Sequence, residues 1–230
     1  MPRQYATLNA SEKLTASQRS YRSLVLDTGP VGYWRLRERS GTVARDEMGA
    51  NNGTYVGSPT LGVTGLLAGD SDTAVTLNGT TQYVSLPAIT LPTAAITWAA
   101  WANLSSAPSD TALVGRWGGG NGSMLYFANP NWGIYVNAGS LQTGLPSAGT
   151  HCYVGTWDGT DARLYVDGAL VAGPTAKAGP IAQPAGTVAA IGSYNNHAAG
   201  TSLPGTLDEP AIWDRALTAD EIGDLYAAGS

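Results

Sequence analysis

The sequence is poor in several residue types that mark common protein classes. Of its 230 residues, one is cysteine, two are histidine and one is phenylalanine, and only 13% are charged. The single cysteine excludes an intramolecular disulfide, and one cysteine with two histidines gives no zinc-binding pattern. No apolar run approaches the roughly 18 residues that a membrane helix needs, so we expect no membrane span.

The charge balance argues against a second class, the general nucleic-acid binders. The formal net charge is −5, whereas a protein that binds nucleic acid through its backbone needs a basic face. The first twenty residues are polar and lack an apolar segment, which predicts no secretory signal peptide. We therefore expect synthesis in a cytoplasm and no partnership with nucleic acid or membrane.

Acidic residues in catalytic spacing are also missing. Glutamate occurs only at positions 12, 38, 47, 209 and 221, and no Glu-x-Asp alternation exists. A retaining glycosidase needs two carboxyl groups about 5 Å apart, usually presented along one strand. His151 and Cys152 are neighbours on a predicted strand and point to opposite faces, so they cannot cooperate directly. The sequence predicts a protein that is not an enzyme.

Turn-forming residues are abundant, with 30 glycines and 13 prolines. From Val31 onward, short apolar runs separated by turn residues indicate many short strands, as in a sandwich or jelly roll. Asn78-Gly79 predicts a hairpin, and Asp158-Gly159 and Asp167-Gly168 predict tight turns. The glycine-rich run 118–122 predicts a hairpin loop. The predicted strands are 74–77, 82–86, 95–104, 112–116, 123–127, 133–137, 150–157, 162–166, 169–171, 188–191 and 205–213.

Helical patterns are confined to the two ends. Residues from about 10 to 25 predict a short helix, with Asn9 or Ser11 as its N-cap. Residues 219–227 predict a second helix, which Thr218 and Glu221 would open as a capping box. We interpret 1–28 as an arm with a short helix and 29–230 as one domain. The arm would either pack on the domain as a frayed terminus or anchor it to another subunit.

Several segments together resemble a known family. They are Pro30-Val31-Gly32-Tyr33-Trp34-Arg35-Leu36, Ile96-Thr97-Trp98-Ala99-Ala100-Trp101, Thr156-Trp157-Asp158-Gly159, 162–168, Leu207-Asp208-Glu209 and Arg215-Ala216-Leu217-Thr218. Their order is similar to that in laminin-G-like, concanavalin A-like domains, over about residues 29 to 229. The resemblance implies an all-β antiparallel sandwich of jelly-roll type, with short N- and C-terminal helices. It favours binding or structure over catalysis, although a fold alone leaves function open.

The resemblance also implies one structural calcium ion. The positions that match are Asp46, Asn51 and Asn52 in an early loop and Asp208 in the closing strand, with Asp70 as a further candidate. Calcium prefers carboxylate, amide and backbone carbonyl oxygens, which this set offers. The alternative is that these are turn-forming side chains satisfied by hydrogen bonds within the protein.

Aromatic residues beside polar loops are the candidates for ligand binding. Flat rings flanked by amide groups are suited to sugars. The alternative for each residue is packing against the sheet or over a turn. The predicted ligand-binding residues are Trp117, Tyr126, Trp132, Asn131, Tyr194, Asn196 and His197. The tryptophans expected in the core or on a packed sheet face are Trp34, Trp98, Trp101, Trp157 and Trp213.

The domain in this chain opens with Tyr33-Trp34-Arg35-Leu36. In this respect it resembles the forms of the domain in phages of high-GC bacteria and in the hosts of those phages. We therefore predict a non-catalytic protein of the virion surface, either a head decoration or a minor tail component. It would dock on other virion subunits through the arm, associate as a homo-oligomer and bind host or environmental polysaccharide. The alternatives are a carbohydrate-binding adhesion module of a bacterial protein and a glycan-active enzyme of unrecognised type.

Overall fold

The computed structural model describes residues 19–108, 110–137, 139–194 and 200–230, which form two helices and sixteen strands. In chain order these elements are α1 (Tyr21–Asp27), β1 (Gly32–Tyr33), β2 (Val43–Ala44), β3 (Gly53–Val56), β4 (Thr60–Thr64), β5 (Thr73–Asn78), β6 (Tyr83–Ser85), β7 (Ile96–Leu104), β8 (Thr111–Gly118), β9 (Asn121–Ala128), β10 (Asn131–Val136), β11 (Gly139–Gly144), β12 (Thr150–Trp157), β13 (Asp161–Val166), β14 (Ala169–Ala176), β15 (Ala190–Ile191), β16 (Pro204–Trp213) and α2 (Ala219–Gly229).

The strands form two antiparallel sheets that pack face to face. The first sheet has the order β14-β13-β12-β7-β16-β5-β4, with β1 added on β16. The second has the order β11-β10-β9-β8-β15-β6-β3-β2. Some neighbours are consecutive hairpin strands, such as β8 to β11 and β12 to β14, whereas others, such as β7 with β16 and β8 with β15, are joined only after the chain has crossed between the layers. This arrangement confirms the predicted antiparallel β-sandwich.

The main core lies between the sheets, and a second apolar layer lies on the outer face of the first sheet. Strand β7 shows how one strand contributes to both. Trp98 and Ala100 point into the space between the sheets, while Ala99 and Trp101 point outward into the second layer. Successive strand residues face opposite sides, so a strand buried on both faces is apolar at nearly every position.

The two helices cover this outer face of the first sheet. Helix α1 buries Tyr21, Leu24 and Val25, which share one face at the helical spacing of three and four residues. Helix α2 opens with the predicted capping box of Thr218 and Glu221. Neither described helix has the length and apolar character that crossing a membrane as a helix would require.

The predicted N-terminal helix differs in its start. Helix α1 begins at Tyr21, and its N-cap is Ser20, whose hydroxyl accepts the Ser23 N–H at 3.2 Å. A continuous helix from about residue 10 is therefore wrong, because the Ser20 backbone is extended. The proposed caps Asn9 and Ser11 lie outside the described residues.

The Asn78-Gly79 turn does not close a hairpin. Strand β5 before it belongs to the first sheet, and β6 after it belongs to the second. The Asn78 side chain accepts the N–H groups of Thr80 and Thr81, and Gly79 takes a positive φ of 76°. These local interactions make a tight turn, but they do not decide which strand each flank pairs with. By contrast, Asp158-Gly159 and Asp167-Gly168 connect strands that do pair, β12 with β13 and β13 with β14.

Strand β16 contains a bulge at Glu209. Its pairing with β7 shifts register between Asp208 and Ala211, and Glu209 has a φ of 55°. Before the bulge Leu207 points into the main core, and after it Ile212 does so. The extra residue therefore changes which positions of β16 face the core, since uninterrupted alternation would have given both residues opposite orientations.

Candidate functional site

Strands β8 to β11 present aromatic residues on the outer face of the second sheet. Residues paired across antiparallel strands share a face. Tyr126 of β9 is paired with Ala112 of β8 and with Gly133 of β10, and Gly133 is paired with Gln142 of β11. Leu125 and Phe127, on either side of Tyr126, point into the main core. Tyr126 therefore faces away from it.

Four rings gather on this surface, which we call the aromatic face: Trp117, Tyr126, Tyr135 and Tyr194. The ring centroids of Trp117 and Tyr194 are 5.7 Å apart, those of Trp117 and Tyr135 are 6.5 Å apart, and those of Tyr126 and Tyr135 are 6.4 Å apart. All three pairs meet edge to face, a favoured arrangement of aromatic rings. Trp117 and Tyr135 are half-buried, whereas Tyr126 and Tyr194 are only 7% and 9% exposed. Tyr126 and Tyr194 thus pack beside the more exposed rings of Trp117 and Tyr135 and support them.

Glycines allow the strands that carry these rings to pack closely. A Cβ atom at Gly133 would lie 2.0 Å from the Leu141 carbonyl oxygen, and one at Gly115 would lie 2.1 Å from the Met124 Cβ. No other residue fits either position without displacing backbone or a neighbouring side chain. Both glycines are buried under atoms of the neighbouring strands. The accessible part of the face therefore includes the half-buried rings of Trp117 and Tyr135.

Polar groups border the rings. The Gln142 amide donates to the Tyr126 hydroxyl, and the Tyr135 hydroxyl donates to the Gly120 carbonyl oxygen at 2.9 Å. The Trp117 Nε1–H is buried without a hydrogen-bond partner among the described residues. The same holds for the Nε1–H groups of Trp101 and Trp132. Burial and the Asp110 carboxylate raise the pKa of Tyr194, so its hydroxyl stays protonated. The face offers neutral donors and acceptors beside flat apolar rings.

The structure brings together part of the predicted ligand-binding set. Trp117, Tyr126 and Tyr194 meet on the aromatic face, and Asn131 pairs with Ala128 at the end of the same surface. Trp132 is elsewhere, because its ring is 0% exposed in the main core and lies 4.9 Å from the Tyr153 ring. Its placement on a binding loop was wrong.

Two further predicted residues, Asn196 and His197, lie outside the described residues. Two members of the aromatic surface were not predicted, Tyr135 and its neighbour Gln142. Alternation could have found Tyr135, since Trp132, Ile134 and Val136 are apolar and take the core side of β10. Gln142 lies on a strand without an apolar pattern and left no such signal.

The predicted calcium residues are engaged in hydrogen bonds within the protein. Both carboxylate oxygens of Asp46 accept backbone N–H groups: Oδ1 from Tyr33 and Met48, and Oδ2 from Ala50 and Asn51, at 2.9 to 3.2 Å. Such a carboxylate closes its own loop, as the turn-forming alternative predicts.

The amides of the same loop are used in a similar way. The Asn52 side-chain oxygen accepts the Asp46 N–H at 2.9 Å, and the Asn51 amide nitrogen donates to the Val31 carbonyl oxygen at 3.4 Å. The Asn51 carbonyl accepts the Trp34 indole N–H at 2.9 Å. The loop is thus tied to the opening segment by the protein alone.

Asp70 and Glu209 belong to a partly buried ionic cluster centred on Arg35. The Arg35 guanidinium lies 2.9 Å from Glu209 Oε1, 2.6 Å from Asp70 Oδ2 and 2.8 Å from Asp72 Oδ2. The Tyr33 hydroxyl donates to the other Glu209 oxygen. Glu209 is 1% exposed, so a fixed cation and a hydroxyl compensate a carboxylate that has lost its water.

Asp208 adjoins this cluster and is less well satisfied. Its Oδ2 accepts the Leu66 N–H at 2.9 Å, while its buried Oδ1 has no hydrogen-bond partner among the described residues. Burial, and then repulsion from Glu209, raise the pKa of Asp208. Burial likewise raises the pKa of Glu209, against the opposing effect of Arg35.

As placed, this set does not fit a calcium ion. Within the described ranges, no three His, Cys, Asp or Glu side chains converge so that they could hold a metal. The Asp46 oxygens are filled by N–H groups, and a guanidinium already neutralises Asp70. The calcium ion stays a prediction, and elemental analysis together with melting in the presence of a chelator would measure it.

The fold and the motifs agree with one family. The model of the concanavalin A-like lectin/glucanases superfamily matches residues 78–223. The match covers more than half of the 230 residues, and the chain belongs to this family. No curated protein sequence matches the chain.

Solved structures repeat the architecture at low identity. Trypanosoma rangeli sialidase in complex with 2,3-difluoro-KDN superposes with a TM-score of 0.63 at 19% identity, over 87% of this chain and 33% of that chain. The protein therefore spans about a third of the sialidase. The binding domain of botulinum neurotoxin DC, in complex with rat synaptotagmin II, gives 0.61 at 9% identity, over 87% and 51% of the two chains.

A smaller structure matches over nearly its whole length. Domain 4 of AbnA, a GH43 extracellular arabinanase from Geobacillus stearothermophilus, was solved in complex with arabinotriose. It gives a TM-score of 0.60 at 18% identity and covers 86% of this chain and 98% of that chain. At these identities the likeness establishes the sandwich fold alone.

Proposed function

We propose that the protein is a non-catalytic carbohydrate-binding domain that holds its ligand on the aromatic face. The observation that carries the proposal is the gathering of Trp117, Tyr126, Tyr135 and Tyr194 on one side of the second sheet. Sugars present patches of C–H bonds, which pack on aromatic rings, and hydroxyl groups, which need hydrogen-bonding partners.

The shape and charge of the surface support a neutral, extended ligand. The rings of Trp117, Tyr135 and Tyr126 contact one another in succession across β8 to β10, which gives a chain of sugars more than one ring to pack on. Gln142 and the protonated Tyr194 supply uncharged polar groups. The domain in complex with arabinotriose has the same fold, which supports an oligosaccharide or polysaccharide as the ligand.

The absence of turnover is part of the proposal. Among the described residues, the carboxyl group that borders the aromatic face is Asp110, beside Tyr194. The buried acids Asp208 and Glu209 lie on the first sheet, under the helix layer, and glycoside hydrolysis needs two carboxyl groups on either side of one sugar.

Binding to insoluble and soluble polysaccharides tests the proposal. Trp117→Ala removes the ring that contacts both Tyr135 and Tyr194, and we expect retention on an affinity gel to fall about tenfold or more. Tyr226→Ala, on helix α2 of the other sheet, is the matched control and should bind normally. Equal binding by both variants, or release of reducing sugar by the unaltered protein, would contradict the proposal.

A second candidate role is attachment to a larger particle, as in a phage virion. The observation that favours it is that α1 packs on the first sheet, whereas the aromatic face lies on the second. A domain held through the residues before α1 would point its binding face away from the attachment point. Deleting residues 1–20 should abolish incorporation into the particle and leave polysaccharide binding intact. Incorporation of the shortened protein at normal levels would remove this role.

A further inference from the structure

We propose a second ligand site, specific for a neutral N-acetylated sugar, in a cleft at one end of the sandwich. The end cleft consists of two adjoining pockets that share Ser106 and Ala107. These residues belong to the segment that follows β7, so the end of one central strand separates the pockets. The site uses none of the four rings of the aromatic face.

The first pocket is small and mostly apolar. It has a volume of about 240 Å³ and is lined by Leu104, Leu145, Pro146 and Tyr153. Pockets for drug-sized ligands occupy about 300 to 1,000 Å³, so this one accepts no more than a sugar substituent or a single ring. Tyr153 is held rigidly, because its ring packs edge-on against Phe127 at 5.3 Å.

Hydroxyl groups surround this apolar floor. Ser105, Ser106 and Ser147 line the pocket together with Tyr153, and no charged side chain among the described residues does. A hydroxyl can donate to one group and accept from another. An acetamido group has a methyl for the floor, an N–H that donates and a carbonyl that accepts. It matches the pocket in size and in each kind of contact.

The second pocket is polar and of similar size. It has a volume of about 290 Å³ and is lined by Asn78, Asp110, Thr111 and Ser202, among others. These groups suit the hydroxyls of a sugar ring whose substituent enters the first pocket. The Asp110 carboxylate and the net charge of −5 disfavour an anionic sugar, since like charges repel. The ligand is therefore neutral.

A histidine holds the rim of the first pocket in place. His151 Nδ1 lies 2.7 Å from Asp167 Oδ2, and its Nε2 lies 2.8 Å from the Ser147 carbonyl oxygen. Asp167 is itself fixed, because its Oδ1 accepts the Cys152 N–H at 2.9 Å. This chain of contacts connects the loop 145–149 to β12 and to the turn after β13. His151 is a positioning residue, since it does not line the pocket.

Saturation-transfer NMR and calorimetry with monosaccharides test the site. N-acetylglucosamine should bind about tenfold more tightly than glucose, because the acetamido group fills the apolar pocket. Its methyl protons should receive the strongest transfer from the protein. Equal affinity for the two sugars, or no binding of either, would overturn the proposal.

Variants then locate the site. Ala148→Phe fills the mouth of the first pocket from an exposed position and should weaken N-acetylglucosamine binding about tenfold. Ala50→Phe, at an exposed alanine outside both pockets, is the matched control. Tyr153→Phe keeps the packed ring, removes only the hydroxyl, and should cost about fivefold. Normal binding by Ala148→Phe would place the ligand elsewhere and overturn the assignment.

One further variant separates this site from the aromatic face. Trp117→Ala should leave N-acetylglucosamine binding unchanged even where it abolishes polysaccharide binding. Loss of both activities in Trp117→Ala would mean that the monosaccharide binds on the aromatic face, which also overturns the end cleft. Melting temperatures of all variants establish that each is folded.

Discussion

The two sheets of this sandwich have outer faces of opposite character. The outer face of the first sheet is covered by α1 and α2, which bury an apolar layer that includes Trp101 and Trp213. On the second sheet, no described helix packs over the aromatic face, and Trp117 and Tyr135 remain half-buried. The same residue types thus pack under helices on one surface and stay partly exposed on the other.

The contacts of individual tryptophans show the difference. The Trp213 indole N–H donates to the Thr28 hydroxyl at 2.9 Å, which ties the end of α1 to β16. Trp101 stacks on Tyr226 of α2 with centroids 5.8 Å apart. Trp117 contacts other members of its own face, and no second layer of the described chain lies above it. Aromatic content alone does not separate the two roles, whereas the presence of a covering element does.

The largest expected effect comes from replacing one tryptophan on each outer face by alanine and comparing the loss of stability. Trp213→Ala should lower the free energy of unfolding by about 3 to 5 kcal/mol, because it leaves a cavity under α1. Trp117→Ala should lower it by about 1 kcal/mol, as expected for a half-buried side chain. Urea unfolding of both variants measures the contrast. Similar losses at the two positions would mean that the faces do not differ as described.

A smaller effect is expected in the pH dependence of stability, and it arises from Asp208 in the first sheet. Since the folded pKa of Asp208 is raised, the folded state keeps its proton while the unfolded state releases it above about pH 4. The contribution of the Asp208 carboxyl group to the free energy of unfolding is complete below that pH and is lost as the pH rises towards 8. Asp208→Asn removes the dependence and keeps an oxygen for the Leu66 N–H.

We therefore expect Asp208→Asn to raise the melting temperature by about 3 °C at about pH 8 and to change it little at about pH 4. Asp214→Asn, at an exposed aspartate of the same region, is the matched control. A melting temperature that drops at pH 8 in Asp208→Asn would show that the carboxylate is needed in its ionised form, as it would be if it bound a cation.

Much of the sandwich was predictable, because strands that pack on a core have local patterns. The strand at 150–157 was predicted with its observed bounds, and most of the others to within a few residues. Strand β11 was missed, since its residues alternate between half-buried and exposed and include no apolar series. The local turn at Asn78-Gly79 was recognisable, but its strands join different sheets, and that depends on distant partners.

The candidate site was less predictable, because its residues are brought together by strands that are distant in sequence. Trp117 and Tyr194 are far apart in sequence and meet only because β15 pairs with β8. Trp132 lies beside a turn rich in glycine and asparagine, and this position favoured a place in a binding loop. Its place in the alternation of β10 directs its side chain into the main core instead. The Arg35 cluster joins residues 35, 70, 72 and 209 across three segments, and no local spacing indicates it.

The single extra residue in β16 has a consequence for comparing or redesigning such domains. Deleting Glu209 would leave Leu207 and Ile212 four positions apart, so a regular strand would keep both side chains facing the core and Trp213 facing the helices. A relative that lacks the bulge therefore aligns correctly only when one gap is placed at this position. An alignment without that gap exchanges the inward and outward positions for the rest of the strand.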